Sequence, residues 1–222
     1  SCGVSPDHLA VLQDTKPEVV SFHFGLPGPD TMSALKEAGI FLICSATTVA
    51  EARSLESRGV DAIIAQGSEA GGHRGTFTDV DISMQPGLFA LLPQVVDAVN
   101  VPVIAAGGVG DGRSVAAAFM LGASAVQLGT AFLRCEESAI PDVYRDSFDS
   151  FTDANTIVTD AVTGRPARFL KNRLVDELSA PGAEPLPFPA QLSLSNPLTG
   201  TNDPGVAVLL AGQAVALTRA TT

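Results

Sequence analysis

One histidine stands where a short apolar run breaks into glycines. In Asp61 to Gly75, DAIIAQGSEAGGHRG, the first five residues have the length and apolar content of a buried strand, and Gln66 to Gly75 cannot continue it. Gly67, Gly71, Gly72 and Gly75 permit positive φ and remove Cβ atoms, so the backbone can press against a flat or anionic ligand while His73 projects beside it. An imidazole can take up a proton near neutral pH, which makes acid–base chemistry the functional reading of His73; a solvated loop histidine is the alternative. Two more glycine clusters close apolar runs: Gly107, Gly108 and Gly110 after VPVIAA, and Gly129, followed by Thr130, after AVQL. Amides freed at such strand ends and helix starts can cradle a phosphate, and Thr130 adds a hydroxyl.

These loops need strands to aim them. Strands are expected at Val19 to Phe24, Ile40 to Cys44, Asp61 to Ala65, Val101 to Ala106 and Ala125 to Leu128, each bounded by glycine, proline or a capping residue. Helices are expected between them, at Thr31 to Ala38, Val49 to Arg58, around Gly87 to Val99, and Arg113 to Leu121, after a lead-in that Ser5, Pro6 and Asp7 could start as a helix. Five βα units in succession imply an α/β fold with a parallel sheet and right-handed crossovers. From Asp149 to Thr222 no clear strand is visible. A proline-rich piece, Pro181 to Pro189, and an apolar helix-like end, Gly205 to Leu217, suggest a helical and irregular tail, with Phe169 to Leu174 and Leu209 to Leu217 as its packing helices. The expected division is therefore 1–148 for the βα units and 149–222 for a tail over them.

With 222 residues, 45% of them hydrophobic, the chain can bury one large core. A net charge of -11, from 24 acids against 13 bases, excludes nucleic acid as a partner, because phosphate backbones need basic clusters. An anionic ligand would have to be held by local amides instead. Cys2, Cys44 and Cys135 have no metal or redox spacing and read as reduced thiols of a cytoplasmic protein without a signal peptide. The uncharged stretch SVAAAFMLGASAVQLGTAFL meets the length test for a membrane span, but Gly122 and Ala123 divide it, and Gln127 and Thr130 would sit unpaired in lipid. No membrane span is expected.

A TIM barrel closes with eight βα units and places its phosphate site after strands seven and eight. Here the glycine loops after the fourth and fifth visible strands come last, so the visible units look like numbers four to eight. Three units, roughly 75 to 100 residues, would then precede Ser1. With no initiator methionine, the expectation is a C-terminal portion, its barrel completed by a missing N-terminal segment or a partner chain. An open flavodoxin-like sheet of five strands is the alternative.

Four motifs in order, AQGSEAGGHRG (Ala65 to Gly75), IAAGGVGDG (Ile104 to Gly112), QLGTAFL (Gln127 to Leu133) and AGQ (Ala211 to Gln213), resemble class I nitronate monooxygenases. The resemblance implies a TIM barrel that binds FMN without covalent attachment and oxidises alkyl nitronates, notably propionate 3-nitronate, with O2 and no nicotinamide, to a carbonyl compound and nitrite. It implies His73 as the catalytic residue, a base toward the carbon α to a nitro group or a polar contact for the nitronate. His23 matches a second histidine near the substrate; a hydrogen-bonded core histidine is the alternative. For FMN it points to Gln66, Gly71, Gly108, Gln127, Leu128, Gly129 and Thr130, with the two carboxamides able to address the ring edge. Gln213 either faces the flavin or packs within a helix, Arg74 pairs with the surface or steers an anion, and Glu69 orients His73 or faces solvent. Two rival readings are an NAD(P)H-dependent flavin enoyl-acyl-carrier-protein reductase of the same barrel type and a non-catalytic half-barrel.

Overall fold

A computed structural model of the chain describes residues 3–198 and 201–219, and Cys2 lies outside them. Cys44 and Cys135 are in no disulfide. The chain forms two compact units, one of residues 3–68, 75–106 and 117–127, the other of residues 69–74, 107–116, 128–198 and 201–219.

The first unit is built on a parallel sheet. Its strands are β1 (Val19–Phe22), β2 (Phe41–Ala46), β3 (Ala62–Gln66), β5 (Val103–Ala106) and β6 (Ala125–Gln127), and they lie side by side in chain order; the two-residue β4 (Gly72–His73) belongs to the other unit. That order decides between the two α/β windings. A doubly wound sheet reverses direction part-way through, whereas strands added always on the same side give the winding of a barrel. The fold is accordingly α/β of the TIM-barrel type, with five of its βα strands in this chain. β3, AIIAQ, is buried throughout, which is why it reads as a continuous apolar run and not as an alternation.

Ser5 caps α1 (Pro6–Thr15) as expected, while α2 (Pro29–Glu37), expected from Thr31, starts two residues earlier on a proline. α4 (Leu88–Val96) turns Leu88, Leu91, Leu92 and Val95 inward at helical spacing. The uncharged stretch divides as expected into α5 (Gly112–Met120) and β6, with Gly122 at φ 95° between them, close against Val96. Among the described residues no helix is long and apolar enough to cross a membrane.

Glu51 is the most consequential buried charge of this unit. It sits in the first turn of α3 (Val49–Ser57), whose Thr48 cap accepts from the Glu51 amide. The side chain is inaccessible to solvent, and its two oxygens are surrounded by donors. Oε2 accepts from the Thr47 amide and hydroxyl, both at 2.7 Å. Oε1 accepts from the hydroxyls of Thr76 and Thr78, each at 2.8 Å, and from the amides of Phe77 at 2.9 Å and Thr78 at 3.2 Å. The carboxylate thus ties the segment after Gly75 to the end of β2. Burial alone would raise its pKa, but the bonds from Thr47, Phe77 and Thr76 together bring it below the usual carboxylate value.

The second unit contains what the tail reading missed. β4, β8 (Ala167–Leu170) and β7 (Thr156–Thr159) form an antiparallel sheet in the order β4-β8-β7, so the tail is not merely helical and irregular. β8, ARFL, is buried at every position and therefore shows no alternation. Ala167 and Phe169 join a core with Val162, Leu174 and Val175, while Leu170 joins a second with Tyr144, Phe148, Leu209, Ala211 and Val215. Phe169 is thus a strand residue. The helix expected there is α7, which begins only at Arg173, behind an Asn172 cap, and ends at Leu178. The helices α6 (Asp142–Ser147) and α8 (Ala190–Ser195) are short. The expected final helix is irregular up to Gly212, and only Gln213–Leu217 turns, as a 3-10 helix. The Tyr144 hydroxyl donates to the Leu210 carbonyl, and a backbone bridge pairs Leu210 with Phe169, so this apolar segment lies extended against β8.

Glu51→Gln is expected to lower stability by about 2–3 kcal/mol, because an amide presents an N–H to groups that are themselves donors. Since the folded-state pKa is depressed, the carboxylate's contribution is complete above its ordinary value of 4.5 and is lost as pH falls through the folded value. Urea unfolding at neutral pH and at a series of acid pH values should show the deficit of the variant shrinking toward zero on acidification.

Candidate active site

The strand tips of the first unit carry two of the predicted residues in one row. Gln66 on β3, Ala106 on β5 and Gln127 on β6 are register partners, so their side chains lie on the same face at the C-terminal ends of three adjacent parallel strands. Gln66 is buried, and its Oε1 accepts from the Gly75 amide at 2.8 Å. Gln127 is exposed. His23 follows β1 directly, half-buried, with Nδ1 3.0 Å from Ser45 Oγ and its ring 4.5 Å from that of Phe24. A Cβ on Gly75 would lie 2.8 Å from Ser45 Cβ and 2.9 Å from His23 Cε1. The end of the glycine loop is therefore seated on His23 and bonded to Gln66, two residues along the chain from His73.

Within the second unit the four motifs meet. A Cβ on Gly71 would fall 2.5 Å from the Ala211 carbonyl carbon and the Gly212 nitrogen. One on Gly212 would fall 2.7 Å from the Glu69 oxygen. The Gln213 amide donates to the Glu69 carbonyl at 2.9 Å, and the Gly212 amide donates to Thr130 Oγ1 at 2.9 Å. Gly108, at φ 71°, lies against the Glu69 side chain, and Gly110 lies against Ala214 and Leu217. Gly71 thus lacks a Cβ because a backbone passes there, a more local reason than ligand contact. The Gln213 side chain is exposed, which removes the helix-packing reading. Glu69 faces Gly108 and, electrostatically, Arg168, whose guanidinium pKa burial lowers and Glu69 partly restores. Arg74 is 1% exposed, so it does not lie on the acidic surface.

His73 is held from several sides. Its backbone pairs with Ala167 across β4 and β8, and the next amide, that of Arg74, donates to the Pro166 carbonyl at 2.9 Å. Nε2 lies 3.0 Å from Thr163 Oγ1, and the ring meets that of Phe188 edge-on at 5.5 Å. Neither Thr163 nor Phe188 is visible as a site residue in the sequence, since each is far along the chain in a segment without periodic signal. The pair Thr163-Gly164 was the one local cue, as a turn.

The donor set suits an anion only in part of the predicted cradle. At the start of α5 the Gly110 and Asp111 amides donate to Ser114 Oγ, and the Arg113 and Ser114 amides donate to Asp111 Oδ1, so these four are already satisfied by the chain itself. The turn that opens at Gly129 has no side-chain cap, and a Cβ added there would meet nothing within 4 Å. Gly107 and Gly108 are both at positive φ, 97° and 71°. Thr130 Oγ1 accepts from Gly212 and keeps its proton for an acceptor, and Leu128 beside it is half-buried. Within the second unit the uncapped turn at Gly129 and the Thr130 hydroxyl proton suit the phosphate of a flavin nucleotide, and in the first unit Gln127 presents an exposed carboxamide. Among the described residues no group of acidic, cysteine and histidine side chains could hold a metal ion.

The sequence profile of the nitronate monooxygenase family matches residues 2–222. A nitronate monooxygenase of Paraburkholderia phytofirmans is 44% identical over 219 residues, covering 96% of this chain and 60% of the relative. Among solved structures, nitroalkane oxidase from Streptomyces ansochromogenes superposes with a TM-score of 0.89 at 43% identity, over 96% of this chain and 62% of that one. FabK from Thermotoga maritima superposes with a TM-score of 0.80 at 34% identity, over 97% and 68%. The chain thus spans about 60% of the length of the curated relative it matches.

Gly71→Ala should cost at least about 1–3 kcal/mol, since the intruding methyl meets backbone atoms that cannot rotate away. Thermal unfolding checks this, and Gly72→Ala is the contrasting case, where only the positive φ of 73° resists and no atom lies within 4 Å.

Proposed function

The chain belongs to the nitronate monooxygenase family, and on that premise we propose that its site binds FMN and oxidises alkyl nitronates of the propionate 3-nitronate type with O2 to a carbonyl compound and nitrite. The observation that carries this reading is the meeting of the Glu69–Gly71, Gly108–Gly110, Thr130 and Ala211–Gln213 segments in one unit, with His73 two residues beyond Gly71.

Gly107, Gly108, Gly129 and Thr130 would hold the phosphate through backbone amides and the Thr130 hydroxyl, so the ligand charge is balanced by dipoles and not by the field of an acidic protein. Gln127 would offer its carboxamide to the ring edge, with Leu128 alongside. Gln66 would act from the same row while fixing the His73 loop through Gly75. Bound FMN supplies the acceptor for the electrons of the nitronate. His73 takes the proton from the carbon α to a nitro group, or donates to a nitronate oxygen when the substrate arrives already ionised. His23, steadied by Ser45, is the second substrate contact. The three strands needed to close an eight-stranded barrel come, in this reading, from a preceding segment or a partner chain. Cys44 and Cys135, outside any disulfide, suit a cytoplasmic enzyme.

The likeness to FabK at 34% identity keeps an NAD(P)H-dependent reductase as the second reading. An absorption spectrum of the purified protein with added FMN, followed by two assays, separates them. Nitronate-dependent O2 uptake without nicotinamide is expected. Bleaching of the bound flavin by NADH under anaerobic conditions, with no response to nitronate, would establish the reductase instead, and a protein that never takes up FMN would be a non-catalytic half-barrel. Gly129→Ala should leave thermal stability within about 0.5 kcal/mol, as open space surrounds the new methyl, yet weaken FMN binding at least tenfold, about 1.4 kcal/mol, measured by fluorescence quenching of the titrated flavin. His73→Gln should lower kcat on a neutral nitroalkane by about 10²–10⁴-fold.

A further inference from the structure

The glycine segments assigned to the phosphate carry two carboxylates. Asp111 follows Gly110, and its Oδ2 accepts from Nε and Nη2 of its own neighbour Arg113, at 2.9 Å and 2.6 Å. The Arg113 side chain stands in solvent, where water and salt screen the pair. Glu69 is packed on the glycine itself. A Cβ on Gly108 would lie 3.4 Å from Glu69 Cβ, 3.5 Å from Cγ and 3.7 Å from the carboxyl carbon Cδ. The Glu69 carbonyl accepts from the Gln213 amide, and the Gly212 amide beside it donates to Thr130 Oγ1. Glu69 therefore joins the Gly108 and Thr130 segments, and its carboxylate opposes any anion that the Gly108 amide receives. With a net charge of -11, the chain as a whole adds to that opposition.

A counter-charge is built in beside it. Arg168 lies on β8, the central strand of the antiparallel sheet, between Val158 of β7 and Gly72 of β4, and Gly72 is three residues beyond Glu69. Its side chain is buried, with Nη1 donating to Thr156 Oγ1 at 3.0 Å. Burial lowers the guanidinium pKa and the charge of Glu69 acts in the opposite sense, which is an attraction that solvent does little to screen. An arginine keeps its proton under either influence.

We infer that Arg168 is a positioning residue of the cofactor site that acts through Glu69: it offsets the carboxylate packed on Gly108, so that the amides there can receive a phosphate. This rests on the reading of the site as an FMN site. Removing the cation alone leaves the phosphate beside an uncompensated negative charge. Removing the carboxylate alone leaves a buried cation in its favour, and removing both returns the balance to where it began.

Titrating FMN and riboflavin against the purified protein, followed by flavin fluorescence, isolates the phosphate's share, since riboflavin has the same ring system and no phosphate. Arg168→Gln should weaken FMN about 10–100-fold and riboflavin by less than about threefold. Glu69→Gln should tighten FMN about 3–10-fold, and the double variant should return to within about threefold of wild type. Arg168→Lys, which keeps the charge, should restore most of the affinity lost in Arg168→Gln. Equal losses of FMN and riboflavin in Arg168→Gln would show a role in folding alone and overturn the inference, as would a Glu69→Gln protein that binds FMN no more tightly than wild type. Should Arg168→Gln not fold, Glu69→Gln still decides. A wild type that binds neither flavin overturns the FMN reading itself, whereas one that binds FMN and responds to neither charge overturns this inference alone.

Discussion

Two stretches of backbone approach so closely at Gly71 and Gly212 that neither can carry a side chain. Backbone-to-backbone contact of this kind is unforgiving, because neither partner has a rotamer with which to yield. It is also cheap to hold once made: the Gln213 and Gly212 amides find acceptors in the Glu69 carbonyl and the Thr130 hydroxyl, so the loops close without orphaned polar groups. The entropy of bringing residue 212 back to residue 71 is large but grows only slowly with the length of chain between them. What the contact gives in return is a fixed origin for His73. Two residues beyond Gly71, the chain enters β4, and its pairing with β8 sets the direction in which the imidazole leaves the backbone.

A buried carboxylate does the corresponding task in the first unit. Desolvating Glu51 would be prohibitive for an isolated charge, and it is tolerated because six donors from Thr47, Thr76, Phe77 and Thr78 replace water. Those donors are drawn from two separate segments, so the charge acts as a clamp between them. Thr47 in turn accepts from Gln85 Nε2 at 2.9 Å, which extends the network to the far end of the Thr76–Pro86 stretch. A region with hardly any regular structure is in this way determined by side-chain chemistry. The result is that Gly75, immediately before Thr76, is anchored on both flanks: by Gln66 through its amide and by the Glu51 network through the residues that follow.

The five parallel strands were legible because buried strands leave continuous apolar runs, and the glycines and caps that bound them have stereochemical reasons to be there. Their ends shifted by one or two residues, as with β1, which stops at Phe22 and leaves His23 outside the ladder. The antiparallel sheet was not legible. β4 has two residues, and its partner is fixed only by a fold that brings Arg168 opposite Gly72. β8 is buried on both faces and contains an arginine and follows a proline, so it shows neither alternation nor a clean apolar run. The segment from Val206 to Leu217 is apolar enough to suggest a helix, but its carbonyls and amides are claimed by β8, Tyr144, Glu69 and Thr130, and tertiary bonds override local preference. The same separation explains why His73 stood out by its glycine context while Thr163, 90 residues away, did not.

Sheet winding determines what the two glutamines can do. Strands laid down always on the same side have no point at which the order reverses, and hence no crevice of the kind a doubly wound sheet uses for its ligands. All the C-terminal ends instead share one rim, and polar residues that terminate otherwise apolar strands come to lie along it. Gln66 and Gln127 are two such residues in a single row, separated by Ala106, whose methyl leaves space between them. They are not equivalent. Gln66 is buried, so its carbonyl oxygen must be bonded, and the Gly75 amide satisfies it at the cost of committing that atom to the loop. Gln127 keeps its carboxamide in the open. The row therefore divides by burial: the inner carboxamide is committed to the Gly75 amide, and the outer one stays open to solvent.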